Sequence, residues 1–537
     1  IYRRLPALLI ATVDKFAQMP WNGRTAMLFG RVDGYCERHG FRSPEIDDSS
    51  YHPASKTHGL PSRRTLPMGP LRPPDLIIQD ELHLISGPLG TLVGLYETAV
   101  DALAGFQVDG RWVRPKVIAS TATIRRASRQ VHSVFLREVN VFPPHGLDAD
   151  DNFFSHQRPP TEEAPGRRYL GLCATGVHQR TAHIRAYVAF LAAAQKLFDK
   201  HGRDADPWMT LVGYFNSLRQ LGGMRRAVDD TISARLRRAH EWGLARRYLS
   251  PYGVQELTSR LSATDIPDVL DRLQAPFERE ALAPKGKPRA KRAKDGERRT
   301  WPIDVLLATN MISVGVDVSR LGLMVVAGQP KTTAEYIQAT SRVGRLYPGI
   351  VATVYSWARP RDISHYEQFE HYHATFYQYV EALSVTPFAP RASDRGLAAV
   401  LVSLVRLAEL DLNDNLAAGR LRRDDPALQA AMTRIYARAE EVTGERQDNG
   451  PLPPLLNAKV DQWLQRIADQ AGAAFGYKRD GRGTVAGLLS SPKPGRWEPF
   501  TCLNSLRDVE PSVNLLLDED EVNVTFRKPW VMPAVPA

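Results

Sequence analysis

Cysteine is scarce in this 537-residue chain: Cys36, Cys173 and Cys502 stand far apart. Three scattered thiols exclude the disulfide framework that staples small secreted folds. No apolar run approaches the roughly 18 residues needed to span a bilayer as a helix, and no leader-peptide pattern is visible. No membrane role is expected, and the cytoplasm is the expected compartment. Internal repeats are absent as well. So is any G-x-x-x-x-G-K-[S/T] string, the Gly-rich loop whose amides and ammonium cradle phosphates. The nearest strings, Ala54-Ser55-Lys56-Thr57 and Lys285-Gly286-Lys287-Pro288, lack the glycine spacing and do not join a strand to a helix.

What is present is ordinary in bulk and basic in balance. Hydrophobic residues make up 43% and charged residues 24%, as in globular chains with sizeable cores. At about 150 residues per domain the length allows three to four domains. A formal charge of +11 favours a polyanionic partner, although a diffuse basic surface gives the same total.

The most informative stretch is Asp75 to Gly87, DLIIQDELHLISG. Leu76 to Gln79 reads as a buried central strand of a parallel sheet, preceded by the breaker Pro73-Pro74. It runs into Asp80 and Glu81, with His83 two positions on. Ligands bind beyond the carboxyl ends of such strands. One carboxylate there can hold hydrated Mg²⁺ beside terminal phosphates, and the next can orient or deprotonate a water. A solvated strand end is the bland alternative, and His83 has its own as a packed helix-start residue.

The second half adds weight. The strand Asp304 to Ala308 opens into Thr309-Asn310-Met311-Ile312-Ser313-Val314-Gly315-Val316-Asp317. The strand Leu323 to Ala327 precedes a predicted helix, Thr333 to Arg345, carrying Gln338, Arg342 and Arg345 at i, i+4 and i+7. Planar guanidinium groups at that spacing can clamp a terminal phosphate. A solvated basic helix is the alternative, and it does not explain the order of the other elements.

Taken in order, these elements resemble the motor core of superfamily 2 helicases and translocases. DELH (Asp80 to His83) resembles the DExH form of the Walker B box, and Ser120-Thr121-Ala122-Thr123 the motif that couples nucleotide and strand sites. Ala11-Thr12-Val13-Asp14-Lys15 is similar to a nucleic-acid-contacting motif of the first lobe, and Leu211 to Ser217 to the start of the second. Thr309 to Asp317 and Gln338 to Arg345 match the last two motifs. The phrases QDELHLISGPLGTLVGLYE, GQPKTTAEYIQATSRVGR, ARPRDISHYEQFEHYH and LNSLRDVEPSVNLLL further resemble the large helicase subunit of DISARM anti-phage systems, the DrmA family. The resemblance implies ATP with Mg²⁺ held at Asp80, bound between two RecA-like lobes. Asp80, Glu81, Gly315, Asp317, Arg342 and Arg345 would line that nucleotide site. His83 and Gln338 would assist catalysis, Ser120 to Thr123 would couple, and Thr12, Lys15, Asn216, Thr309 and Arg359 would grip one strand. It also implies DNA with a single-stranded portion as substrate, a second defence protein of DrmB type as partner, and in some systems a methyltransferase. The motor motifs alone fit an RNA remodeller equally, and a non-catalytic nucleic-acid scaffold is the rival from another class. The missing Gly-rich loop is expected upstream of residue 1, and without it this polypeptide should not turn over ATP.

The expected fold is α/β: two RecA-like parallel-sheet lobes, then a mainly helical C-terminal region with a short β-rich tail. The partial first lobe spans 1–142 with strands at Ala7 to Ala11, Leu76 to Gln79 and Lys116 to Ala119, interrupted by a Pro- and His-rich insertion over 20–74. A connector occupies 143–165 and the second lobe 166–357. A helical accessory domain covers 358–470 and the tail 471–537. The basic run 284–299, PKGKPRAKRAKDGERR, lacks aromatics and cannot form a core, so it reads as a flexible loop able to meet phosphates or simply to add solubility. Tyr366, Phe369, Tyr372, Phe376 and Tyr379 fit the buried face of one helix. In the insertion, Cys36 and His39 (C-x2-H) with His52 and His58 (H-x5-H) offer four Zn²⁺-type ligands, although one Cys with three His is an unusual structural set and loop histidines are commonly solvated.

Overall fold

The computed structural model describes residues 1–506 apart from 47, 56, 122–126, 145–150, 152, 155, 157, 251, 259–260, 262–264, 279–300, 310–317, 378–379, 382–383, 448–449, 471–473, 482 and 494–496. Ala122, Thr123, Gly315, Asp317, Tyr379, the basic run 284–299 and the tail beyond 506 therefore lie outside the described residues. Two units divide the chain: 1–121, 126–140 and 383–537 form the first, and 122–125 with 141–382 the second. None of the described helices is long and apolar enough to cross a membrane.

In the first unit the motif strand forms where expected, but in different surroundings. β1 (Leu76–Gln79) pairs in parallel with β2 (Lys116–Ala119), Ile78 lying opposite Ile118. Among the described residues this is a two-stranded sheet, not a buried central strand, and Leu76, Ile78 and Ile118 are 46%, 62% and 50% exposed. The apolar run signals a strand that wants cover on both faces, and here most of that surface meets solvent. Nor does Ala7 to Ala11 form a strand: it has no ladder partner among the described residues, and Leu8 and Ile10 stay exposed. Backbone without a ladder to satisfy it does not make a strand.

The core of this unit is helical. Gly87–Ala104 buries Leu92, Leu95, Tyr96, Ala99 and Leu103 at helical spacing. Helix Pro390–Ala408, which starts on a proline whose missing N–H costs nothing at that position, packs against it. A Cβ at Gly396 would lie 2.7 Å from Leu95 Cδ2, so the bare glycine is what lets the two helices close. Residues 358–382 group with the second unit and the later helices with the first. Buried Arg406 ties the insertion to this core by donating to the carbonyls of Pro20 (2.9 Å) and Asn413 (3.1 Å) and pairing with Glu45 (3.0 Å).

In the second unit, β3 (Arg167–Cys173), β4 (Leu211–Phe215), β5 (Val254–Leu257), β6 (Val305–Ala308), β7 (Leu323–Ala327) and β8 (Gly349–Tyr355) form one sheet of order β3-β8-β7-β4-β6-β5. Every pairing is parallel. β4, β6 and β7 are buried at each position. Alternate residues feed separate cores: Leu211, Val305, Leu307, Leu323 and Val325 join one, while Val212, Leu306, Met324 and Val326 join the other. Helix Gln179–His201 covers the first core with Tyr187 and Leu191 and ends at Gly202, whose φ of +64° admits little but glycine. The aromatic stripe breaks at Gln368 into helices Pro360–Glu367 and Phe369–Thr375. Phe376 joins the second core and Tyr372 packs against it, whereas Tyr366 is 41% exposed.

Candidate active site

The DELH residues sit where β1 ends. Asp80 is exposed, and its Oδ1 accepts hydrogen bonds from the Glu81 backbone N–H (2.9 Å) and from the Ser120 hydroxyl. Both bonds go to one oxygen, which leaves Oδ2 clear of them. The Leu82 N–H donates to the Ser120 carbonyl (2.9 Å), so the end of β1 is sewn to the end of β2. Glu81 adopts φ 51° and ψ 48°, a left-handed conformation that costs a non-glycine residue on the order of 1 kcal/mol. That turn swings the chain into the short 3₁₀ segment Leu82–Leu84 and buries His83. His83 Nδ1 lies 3.4 Å from Glu81 Oε2 and 3.3 Å from Thr121 Oγ1. Asp80, Glu81, His83, Ser120 and Thr121, expected to act together, are thus brought together.

One supporting residue escaped the sequence reading. Gln130, buried on helix Ala127–Phe135, donates through Nε2 to the carbonyls of Leu82 (3.1 Å) and Ile85 (2.8 Å). It satisfies the backbone of the strained turn from below, and a lone glutamine among apolar positions gives only a faint signal of that role.

In the second unit the helix bearing the expected arginines is shorter than the periodicity implies. Thr332 caps it, accepting from the Glu335 N–H (3.2 Å), and it runs only Thr333–Thr340. Gly344 has φ +71° and donates to the Leu321 carbonyl (2.8 Å), and a Cβ there would lie 2.8 Å from Gly349 Cα, so the chain must leave the helix before it. Gln338 is buried on the helix, whereas Arg342 and Arg345 stand on the turn beyond it. Arg345 is exposed, with Nε donating to the Ser341 carbonyl (3.3 Å). Arg167 shapes the turn by donating to the carbonyls of Val343 (2.8 Å) and Ser341 (3.4 Å), a role with no signature in sequence.

Among the expected strand contacts, Thr12 and Lys15 are exposed at a 3₁₀ turn of the first unit. In the second unit Thr309 is buried just past β6, and Arg359 is exposed before helix Pro360–Glu367. Asn216 spends its amide N–H groups on the carbonyls of Ala327 and Gln329, both 3.2 Å, so much of its work is to hold the end of β4 to that of β7. Asp362, unnoticed in sequence, is 3% exposed and accepts from the N–H groups of Gln329 (3.3 Å) and Ser356 (2.8 Å), fixing the ends of β7 and β8. His373 is a packing residue: burial lowers its pKa, and its Nε2 lies 2.9 Å from the Tyr336 hydroxyl. Of the four candidate zinc ligands, Cys36, His39 and His52 converge. His58 does not join them, because it sits exposed in the turn closed by the Ser55–Leu60 bridge.

Three kinds of likeness to known proteins stand beside this geometry. The helicase conserved C-terminal domain family matches residues 288–347. Over 532 residues the chain is 40% identical to the DISARM protein DrmA of Bacillus paralicheniformis, covering 97% of this chain and 44% of that protein. The chain thus spans less than half the length of that relative. Solved structures with partial likeness include the DUF1998 helicase MrfA bound to DNA and AMPPNP (TM-score 0.42, 12% identity, 75% of this chain and 41% of that one). Another is the helicase Lhr of Mycobacterium smegmatis bound to ssDNA and AMP-PNP (TM-score 0.37, 13% identity, 78% and 41%). The domain match is of one kind with the resemblance to superfamily 2 helicases that the motif series carries. Over nearly its whole length the chain is similar to the DISARM protein DrmA.

Proposed function

We propose that this chain carries the hydrolysis and coupling parts of an ATP-dependent DNA helicase or translocase, acting in a DISARM-type anti-phage complex with a DrmB-like protein. The supporting observation is the bonded cluster at the ends of β1 and β2, where Asp80 receives Ser120 and His83 stands between Glu81 and Thr121. The residues fit Mg²⁺-ATP: Asp80 is exposed at the carboxyl end of a parallel strand, with Oδ2 clear of the bonds that fix its partner oxygen. Asp80 would hold the hydrated metal. Bound Mg²⁺-ATP supplies an activated phosphoanhydride, and Glu81 would orient and deprotonate the attacking water. The left-handed backbone of Glu81 and its 3.4 Å contact with His83 would orient the carboxylate for that work. Arg342 and Arg345 present guanidinium groups of the kind that neutralise phosphoryl charge. Thr12, Lys15, Thr309 and Arg359 would meet strand phosphates, which fix register without reading sequence.

The test is ATP hydrolysis by the full-length protein alone, with single-stranded DNA, and with RNA. Stimulation by DNA supports the reading. Stimulation by RNA alone makes the protein an RNA remodeller, and no hydrolysis under any condition makes it a scaffold.

A further inference from the structure

The insertion over 20–74 is built from very short strands and has little apolar core, yet three metal-binding side chains converge inside it with a carboxylate beside two of them. Cys36, fully buried, ends the strand Gly34–Cys36, which turns through residues 37–39 into the antiparallel strand Gly40–Arg42. His39 lies on that turn, and buried His52 ends Tyr51–His52, which pairs with Arg63–Arg64. Cys36 Sγ is 3.9 Å from His39 Nδ1, and His39 Nδ1 is 3.4 Å from His52 Nε2. The ligand atoms of all three residues fall within 4.8 Å of one another. Asp48, on the intervening loop, lies beside both imidazoles, its Oδ1 3.5 Å from His52 Nε2 and its Oδ2 3.9 Å from His39 Nδ1. A tetrahedral Zn²⁺ with Zn–N near 2.05 Å and Zn–S near 2.3 Å separates two nitrogens by about 3.3 Å, and a sulfur from a nitrogen by about 3.6 Å. The observed N···N separation of 3.4 Å is close to the first of these, and the S···N separation of 3.9 Å is a few tenths of an ångström longer than the second.

We propose that Cys36, His39, His52 and Asp48 form a structural zinc site. Thiolate and carboxylate together balance the dication, and two neutral imidazoles complete four-coordination. Arg3 is the outer support: its guanidinium bonds Asp48 and donates from Nε to the His39 carbonyl (3.0 Å), orienting one ligand and the backbone of another. The aspartate fills the place that sequence spacing gave to His58. The ion would clip the 34–42 hairpin to the strand pair 51–52 and 63–64, giving a segment with little core a defined shape.

The test is metal content, by mass spectrometry, of the full chain purified without a metal-affinity step or chelator. Wild type and His58→Ala should each carry roughly one zinc per chain, and Cys36→Ser and Asp48→Ala far less. Should those two variants fail to fold, Co²⁺ exchanged into wild type decides: a thiolate-to-cobalt charge-transfer band with intense tetrahedral d–d absorption supports the site. Wild type without zinc and without that spectrum overturns it. So does zinc retained in a folded Cys36→Ser, or lost in a folded His58→Ala.

Discussion

The β1–β2 pair of the first unit and the β4–β6–β7 centre of the second are both parallel and rich in Ile, Leu and Val, yet their surroundings are opposite. In the second unit each side chain of β4, β6 and β7 is buried, alternate residues serving cores on the two faces. In the first unit Ile78 and Ile118 remain more than half in solvent or close to it, at 62% and 50%. Stability and chemistry therefore separate. The buried sheet carries packing energy of about 1.5–3 kcal/mol for each large apolar side chain. The exposed pair carries the carboxylates, held by hydrogen bonds at its carboxyl end and by Gln130 beneath.

Three substitutions would break or sharpen that contrast. The largest effect belongs to Asp304 at the head of β6, whose carboxylate receives buried Arg247 (2.8 Å) and the Ser250 N–H (3.1 Å). Asp304→Ala strands a guanidinium in the interior and should destabilise the second unit by about 3–5 kcal/mol in denaturant unfolding. A loss below about 1 kcal/mol would mean the pair is dispensable to the sheet. A middle effect, dependent on pH, belongs to Glu97 on helix Gly87–Ala104. Burial pushes its carboxyl up from 4.5 to about 7, against the opposing pull of Arg438. The folded state thus holds this proton more tightly than the unfolded chain, so the stability it contributes is complete below about pH 4.5 and is lost as pH rises to about 7. Glu97→Gln should stabilise the first unit by about 1–3 kcal/mol at pH 8 and change little at pH 4, read as melting temperature against pH. A pH-independent difference would contradict the assignment. The smallest effect is expected for Ile78→Ala on β1, below about 1 kcal/mol, because most of that side chain is already in water. A cost of several kcal/mol would show that the face is covered in solution.

The strands were legible because continuous apolar runs bounded by breakers have few other solutions, and β1, β2, β6 and β7 lie where those runs place them. Surroundings were not legible: a run like Leu76 to Gln79 states a preference for cover but not whether cover is present. The helix over 333–345 was read too long because its periodicity continues through Arg342 and Arg345, while the close approach of Gly344 to Gly349 is a tertiary fact. Asp80, Glu81 and His83 were picked out from the residues, and Ser120 with Thr121 from the family resemblance; the structure brings the five together. Gln130, Arg167 and Asp362 were missed because each acts on backbone well removed in sequence, Asp362 on Gln329 among them. In the proposed zinc set Asp48 stands where spacing offered His58, because ligand spacing along a chain does not report which loop folds back.

The central claim is that the Glu81–His83–Thr121 contacts couple hydrolysis to the strand. Its most direct test is DNA-stimulated ATP turnover by full-length Thr121→Val, beside Glu81→Gln as the control that should abolish hydrolysis while retaining nucleotide binding. Thr121→Val removes one hydrogen-bonding group at 3.3 Å from His83 and should keep basal turnover while lowering stimulation by DNA about tenfold, the equivalent of about 1.4 kcal/mol. Unchanged stimulation in Thr121→Val, or hydrolysis near the wild-type rate in Glu81→Gln, would contradict it.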